Sequence, residues 1–529
     1  MKKKIYSILL AVGCLFGFSA CDSLDLAPES SISDANYWKT SDHFSAFNTG
    51  ISSYFRYYSW YYFLYGEPRS NFYDDTPYGG EAQQGYENIY LNSLSVDNPV
   101  VGNYGGLYNV INQINLMIAK TESTNVLSAA DKSYYLGECY GLRAYLYFHL
   151  LRSYGGVIVY TDYTSGSTLD LSNLNRKQDS EETVMAQIKK DIDASETAFN
   201  GNYAFTKGKN YWSLGATKML KGEVYLWSGK RMNGGNADYQ TAKTALQEVA
   251  NCPGVGLLDD YKSVFAFSNK KNSEIIFSIY NGENETAMLG GSFASNMMPQ
   301  SNYNNDGGHF TEDGSCIRDI DDSQISGLIR LPLAQRLYSK LYLDSDPRKR
   351  INLRSVYTKD GSGNLQYIGA YPYKFQGTMI AGQSSRSFYD DYPVYRYADC
   401  ILLIAEAKAL LGEDVANEIN TIRKRAYGEE YFNAHPEVQY PNDKGAFYDG
   451  NDIVGGDDDV VEAVLKERAR ELIFEGRHWY DLRLMDDGTP NSVVLKHSRA
   501  SRTRLLWPID QSTLTNNNLL DQTPGYNNK

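Results

Sequence analysis

The sequence predicts a mainly α-helical chain, built of antiparallel helix pairs with long loop insertions and a few short β-strands. Three observations predict it: apolar residues recur at helical spacing in successive segments, glycines end several of those segments, and aperiodic Gly-, Asn- and Asp-rich stretches lie between them. From about Asp22 to Ser41 the chain reads as a polar, extended tether. A helix-like segment running from Arg56 through Phe63 carries aromatic residues on every face, so some of its rings must be exposed or interfacial. Tyr104 to Lys120 sets Leu107, Val110, Ile111, Ile114 and Ile118 on one helical face. Leu136 to Tyr154 does the same with Tyr140, Ala144, Tyr147 and Leu151, and Gly155-Gly156 ends it. Helices follow over Ser180–Phe199, Tyr211–Ser228 with Gly229 as its stop, and Asp238–Val249. Ser273–Tyr280 reads as a strand on its β-branched and aromatic content. Asn281–Asp322 is a long loop of the kind that is usually functional. Helices resume at Tyr392–Leu411, stopped by Gly412, and at Val415–Ala426. After a polar insertion at 428–458, Asp459–Met485 reads as one long amphipathic helix dense in charge. No clean 34-residue repeat is visible, so a solenoid would have to be degenerate.

The first residues fix the compartment. Lys2, Lys3 and Lys4, an apolar run from Ile8 to Phe18 and then Ser19-Ala20-Cys21 have the order of a secretory signal peptide. The run is far shorter than the about 20 residues that span a bilayer. Small residues before a cysteine resemble a bacterial lipobox, with Phe18 where an aliphatic residue is usual. Residues 1–20 are then a lipoprotein signal, and Cys21 is the acylated (palmitate-type) start of a tether over 21–41. Ordinary cleavage to a soluble secreted protein is the alternative. Residues 42–529 form a single domain, with a helical scaffold at about 100–250 and 392–486 and variable loops at about 64–103 and 281–330. The net charge of −13 becomes more acidic when the three leader lysines are lost, which argues against nucleic acid or anionic lipid as main partner. Attachment to a membrane would therefore come from the lipid on Cys21.

Chemistry is sparse. There is no GxSxG elbow, HExxH, phosphate-binding Gly-Lys-Ser/Thr loop or dinucleotide fingerprint, and the reading is of a protein that is not an enzyme. Cys139, Cys252, Cys316 and Cys400 lie far apart without metal-ligand spacing; Cys139 and Cys400 read as core residues, and one disulfide stays open. On the helix from Asp459, Glu467, Arg468 and Glu471 are spaced for local ion pairs worth about 0.2–0.5 kcal/mol each when exposed. Glu475, His478 and Asp481 read as fold-holding groups before an acid–base or metal cluster. Arg143, among Tyr140, Ala144 and Tyr147, needs a buried partner. Gly137 and Gly141 would let another helix approach closely. Asn302, Asn304, Asp306 and the closing Asp313 parallel an EF-hand loop and make a calcium site the one metal candidate. A Gly/Asn-rich turn is the alternative, and no cofactor is otherwise expected.

Forty-five tyrosines are the compositional outlier. Tyrosine offers a flat apolar face with a hydroxyl, which suits the C–H faces and hydroxyls of sugar rings. Two regions combine such rings with amides and carboxylates. One is Arg56–Tyr90, giving Asn71, Tyr73, Asp74 and Tyr78 as ligand candidates, with Trp60, for which core packing is the favoured reading. The other is Met297–Phe310, giving Asn302, Tyr303 and Phe310.

Six segments in order resemble the SusD/RagB family, the outer-membrane nutrient-binding lipoproteins of Bacteroidetes-type bacteria. They are Gly141–Gly156, with its closing Tyr-Gly; Asp346-Pro-Arg348; Tyr395–Ala407; Ile419–Arg425; Glu467–Arg483; and Leu506-Trp-Pro-Ile-Asp510 with the closing Gln522–Tyr526. The resemblance implies a scaffold of tetratricopeptide-like helix pairs and display on the outer membrane. It also implies a SusC-like TonB-dependent transporter as partner, over which such proteins act as a substrate-capturing lid. It assigns no ligand residue, because the family's loops vary. The leading expectation is non-catalytic binding of an oligo- or polysaccharide and its delivery to that transporter. The alternatives are a RagB-like peptide binder and a lipid-anchored glycoside hydrolase, which would need a carboxylate pair in its cleft.

Overall fold

Helices start where a side chain can take the free N–H groups of a first turn. Ser128, Ser180 and Ser213 each accept the N–H three residues on, and Asp459 accepts those of Val461 and Glu462. The computed structural model describes residues 37–526 except 77, 79–83, 102–103, 165–173, 284, 286–287, 301–306, 321–323 and 444–456. Cys21 and the leader, and Asn302, Tyr303, Asn304 and Asp306, lie outside the described residues. The principal helices are α1 (Ser41–Tyr57), α2 (Ser59–Gly66), α3 (Gly106–Ser123), α4 (Ala129–Tyr154), α5 (Glu181–Phe199), α6 (Leu214–Arg231) and α7 (Gly235–Gln247). Later in the chain come α8 (Tyr397–Leu410), α9 (Ala416–Tyr427), α10 (Val460–Leu472) and α11 (His478–Leu484). Neighbours in sequence pack as pairs: α3 on α4, α4 on α5, α6 on α7, α8 on α9, with α8 also against α7 and α10. The fold is mainly helical, with tetratricopeptide-like pairs as expected.

Glycine spacing sets how closely those pairs pack. A Cβ at Gly137 would stand 2.7 Å from the Phe199 ring, and one at Gly141 2.0 Å from Trp212 Nε1. Arg143, two residues beyond Gly141, finds the buried partner it needs: its guanidinium donates to both oxygens of Asp191 (2.8 and 2.6 Å) and to Asn115 Oδ1 (2.8 Å). Gly229, expected as a stop, instead lies inside α6, where a Cβ would meet the Tyr239 ring at 2.5 Å. It is a packing contact between α6 and α7.

Two predicted helices are corrected. Tyr392–Arg396 forms β4, antiparallel to β1 (Ile275–Ile279) with Ile275 opposite Arg396 and Ile279 opposite Tyr392. Its Tyr-Pro-Val-Tyr composition favours a strand, and the helix starts only at Tyr397. The charged helix from Asp459 is broken at Ile473–Arg477, where Phe474 (φ 69°) and Gly476 (φ 72°) take left-handed backbone. A further hairpin, β2 (Leu353–Lys359) with β3 (Leu365–Pro372), was not anticipated; Asp360 closes it by accepting from the N–H groups of Ser362 and Asn364.

The break in the charged helix gathers ions at the centre of the molecule. Glu471 is fully buried and binds Arg396 (2.7 Å), Arg348 (3.1 Å) and Arg425. Glu467 binds Arg348 (2.8 Å) and Arg423 (2.9 Å), and Arg468 binds Asp399 and Asp481 (2.9 Å each). Glu475 binds Arg396 (2.8 Å) and Lys374. Glu467, Arg468 and Glu471 therefore pair across the fold in addition to the local i, i+3 contact of Glu467 with Arg470. Glu475 and Asp481 are structural, as expected, while His478 stacks on Phe72 with centroids 3.8 Å apart.

These pairs predict the acid behaviour. Burial opposes ionisation of Glu467, but Arg348, Arg423 and Arg470 outweigh it and hold the carboxyl at about 2; Glu471 and Asp443 are held lower still by their arginines. Such groups stabilise the fold fully above the unfolded carboxyl pKa of about 4.3 and lose that contribution as pH falls towards 2. His149 and His478, kept neutral by burial, act in the same direction. Glu67 and Glu138, raised to about 7 by burial, titrate above this window. Urea titrations should therefore show stability dropping steeply between about pH 4.5 and 2. Glu467→Gln should flatten that drop, and an unchanged slope in the variant would contradict the assignment.

Candidate functional site

The periodicity of α1 exposes a polar face beside a buried one. Phe44, Asn48, Ile51 and Phe55 point into the core, while Thr49, Ser52, Ser53 and Arg56, spaced i, i+3, i+4, i+7, line a cleft of about 430 Å³. Glu138 and Leu142 of α4 and the ring of Trp212 close one side, and Phe277 to Tyr280, at the end of β1, form the other. Asn210 sits between them, its amide donating to Ser278 Oγ (2.9 Å) and Asp391 Oδ2 (3.0 Å). One buried acceptor here, Asn210 Oδ1, has no hydrogen-bond partner. Burial pushes the Glu138 carboxyl up to about 7, with Asn48, Lys207 and Tyr134 as its polar neighbours drawing it back.

Tyr280 lines this cleft as an exposed ring steadied by cations, and Phe267 and Tyr57 lie beyond its lining. Tyr280 is 37 % exposed; Arg56 lies 6.0 Å from its centroid and Lys270 5.0 Å. Lys270 also sits 5.0 Å from the centroid of Phe267, 41 % exposed, and is fixed by Asp391 (3.2 Å) and the Asn281 carbonyl (2.6 Å). Glu285 pairs with Arg56. Tyr57, 66 % exposed, stands one turn beyond Ser53 on α1. Flat rings, the Asn210 amide and charged donors around a concave site suit a ligand with both apolar faces and hydroxyls.

The predicted ligand residues that are among the described residues do not line this cleft. Trp60 is buried and stacked on Phe63, centroids 5.0 Å apart. Tyr73 is buried, donating to Glu67 Oε1 (3.2 Å). Tyr78 is buried against His309 and Tyr371. Asn71 is half-buried, its N–H on the His497 carbonyl, and Asp74 forms a bidentate pair with Arg499 (2.6 and 2.8 Å). Phe310 is half-buried beneath Lys359, 4.0 Å from its centroid. Physically, Glu67 draws this loop inward: its carboxylate accepts the N–H groups of Phe474 (2.7 Å) and Gly476 (2.8 Å) in the turn after α10. The rings that follow then pack into the core. Asp313, the one calcium candidate among the described residues, is exposed and accepts from Thr311 Oγ1 (2.6 Å) and Ser315 N–H (2.9 Å), closing its own turn. Cys139, Cys252, Cys316 and Cys400 are free thiols.

Tyr57, Phe267, Asn210 and Tyr280 were not singled out by sequence reasoning. The available signal was Lys270-Lys271 between Phe267 and Tyr280 at a strand edge, but nothing local tied that stretch to α1.

Comparison with known proteins agrees with this architecture. The SusD family profile matches residues 340–484, and one described as starch-binding associating with outer membrane matches residues 71–207. B. fragilis NanU is 52% identical, covering 95% of this chain and 100% of its own, with a TM-score of 0.90. A SusD superfamily protein from Bacteroides vulgatus is 48% identical over 93% of this chain and 100% of that one (TM-score 0.88). A laminarin binding SusD-like protein shares the fold at 22% identity, covering 92% of this chain and 100% of that one (TM-score 0.68). The fold and the helix-pair scaffold define a SusD-type protein. This chain belongs to the SusD family.

Proposed function

We propose that this protein is a non-catalytic surface receptor for an oligo- or polysaccharide, which it passes to a SusC-like TonB-dependent transporter in the outer membrane. The observation that carries the reading is the cleft beside α1, where Tyr280 stands exposed beside Arg56 and Asn210, with Tyr57 on the next turn of α1 and Phe267 joined to Tyr280 through Lys270. The starch-binding, outer-membrane description of the matching profile and the laminarin-binding relative support a carbohydrate ligand. Anchorage is through lipid on Cys21; no helix among the described residues is long and apolar enough to cross a membrane. The site is read as non-catalytic because its two carboxylates are engaged or hidden: Glu285 is held by Arg56, and Glu138 is 1 % exposed.

The test is affinity electrophoresis and calorimetry on a panel of laminarin, pullulan, xylan, mannan and mixed peptides, with product analysis. A saturable glycan with no released product is the expected result. Tyr280→Ala and Tyr57→Ala should each weaken that binding by about tenfold or more, the loss of one aromatic contact, with an unchanged melting temperature because both rings are exposed. Peptide binding alone would overturn the carbohydrate assignment, and released sugar would overturn the non-catalytic one.

A further inference from the structure

A second, larger cleft of about 880 Å³ lies between α3 and the strand-like segment that follows α4. Its chemistry repeats that of the first. Arg176 lies 4.7 Å from the centroid of Tyr160, and Lys120 5.7 Å from that of Tyr163. Asn109 and Asn112 bring amides from one face of α3. The segment is held in place by its backbone and by the Tyr160 ring, which packs edge-on against Tyr108 (5.9 Å): Asn112 exchanges two hydrogen bonds with Thr164 (3.1 and 2.7 Å), and Asn115 donates to the carbonyls of Tyr160 and Asp162 (3.1 Å each). The half-buried Tyr163 ring lies outside the hydrophobic core.

The two clefts are joined by aromatic side chains. Arg56 of the first cleft is followed by Tyr57, whose ring packs on Tyr58 (5.0 Å), and the Tyr58 hydroxyl accepts from Asn109 of the second (3.3 Å). We infer that the second cleft is a further subsite for the same glycan, so that the ligand is an extended chain of sugar rings seated in both clefts across Tyr57. This rests on the carbohydrate reading of the first cleft.

The test uses whichever of laminarin, pullulan, xylan or mannan the intact lipid-free protein binds best, together with its size-fractionated fragments from two to ten rings. Affinity should rise by at least about tenfold from the shortest to the longest fragments, because the second contact is intramolecular. Tyr163→Ala and Arg176→Ala should abolish that rise, leaving the affinity of the shortest fragments and the melting temperature unchanged. If affinity is independent of length, or if the cleft variants bind long fragments as the native protein does, the extended site is wrong while the receptor reading stands. If none of the four polysaccharides binds, the carbohydrate reading fails and the second subsite with it.

Discussion

Replacing Arg396 by methionine is expected to cost about 3–5 kcal/mol of stability, a large share of a typical total of about 5–15 kcal/mol, because it removes one partner from a buried ion network. Arg396 ends β4 and is fully buried. Its guanidinium donates to Glu274 (2.7 Å), to Glu471 (2.7 Å) and to both oxygens of Glu475 (2.8 and 2.9 Å), with a further bond to the Glu471 carbonyl (2.6 Å). It ties the segment before β1, β4 and the end of α10 together. Without it, three carboxylates share Arg348, Arg425 and Lys374, and their charge has no water to fall back on. Urea unfolding of the purified variant checks this, and a loss below about 1 kcal/mol, the scale of an exposed pair, would show that the network is not what holds these segments.

The second large effect comes from a glycine. A Cβ on Gly66, the last residue of α2, would lie 1.9 Å from the carbonyl oxygen of Gly476 and 2.7 Å from its carbon. Both are backbone atoms, so no rotamer change relieves the overlap, and the turn at 474–476 would have to move. That turn is also where Glu67 takes the N–H groups of Phe474 and Gly476, so moving it orphans a buried carboxylate. Gly66→Ala should therefore destabilise by about 3 kcal/mol or more. Gly50→Ala is the control. It lies within α1 with nothing within 4 Å of an added Cβ, and should be neutral or stabilising by up to about 1 kcal/mol. Equal melting temperatures for the two variants would refute the close-approach account.

The α3, α5 and α7 helices were legible because each buries one stripe against a neighbour close in sequence, while α4 and α6, buried on nearly every face, were legible from their length, helix-forming residues and the glycines that end α4. The same logic required a partner for Arg143 and close helix approach at Gly141, and both are present. Where several faces are buried the pattern loses its meaning. α10 buries apolar and charged residues alike, and the left-handed turn at Phe474 and Gly476 leaves no periodic mark. β4 and the β2–β3 hairpin depend on strand pairing, which is non-local or set by a turn.

For the ligand site, aromatic residues in a loop were read as available to a ligand. Their availability was decided by Glu67, which pulls Tyr73 and its neighbours into the core, while exposure passed to Tyr57, Phe267 and Tyr280. The sequence by itself determined the helical class, the family, the acidic surface and the expectation of a lipid anchor at Cys21, because these rest on local period, composition and ordered motifs. Only the tertiary structure decided which tyrosines face water, which carboxylates meet which arginines and where the clefts lie. Those depend on distances between segments as far apart as Arg56 and Tyr280, set by packing over the whole core.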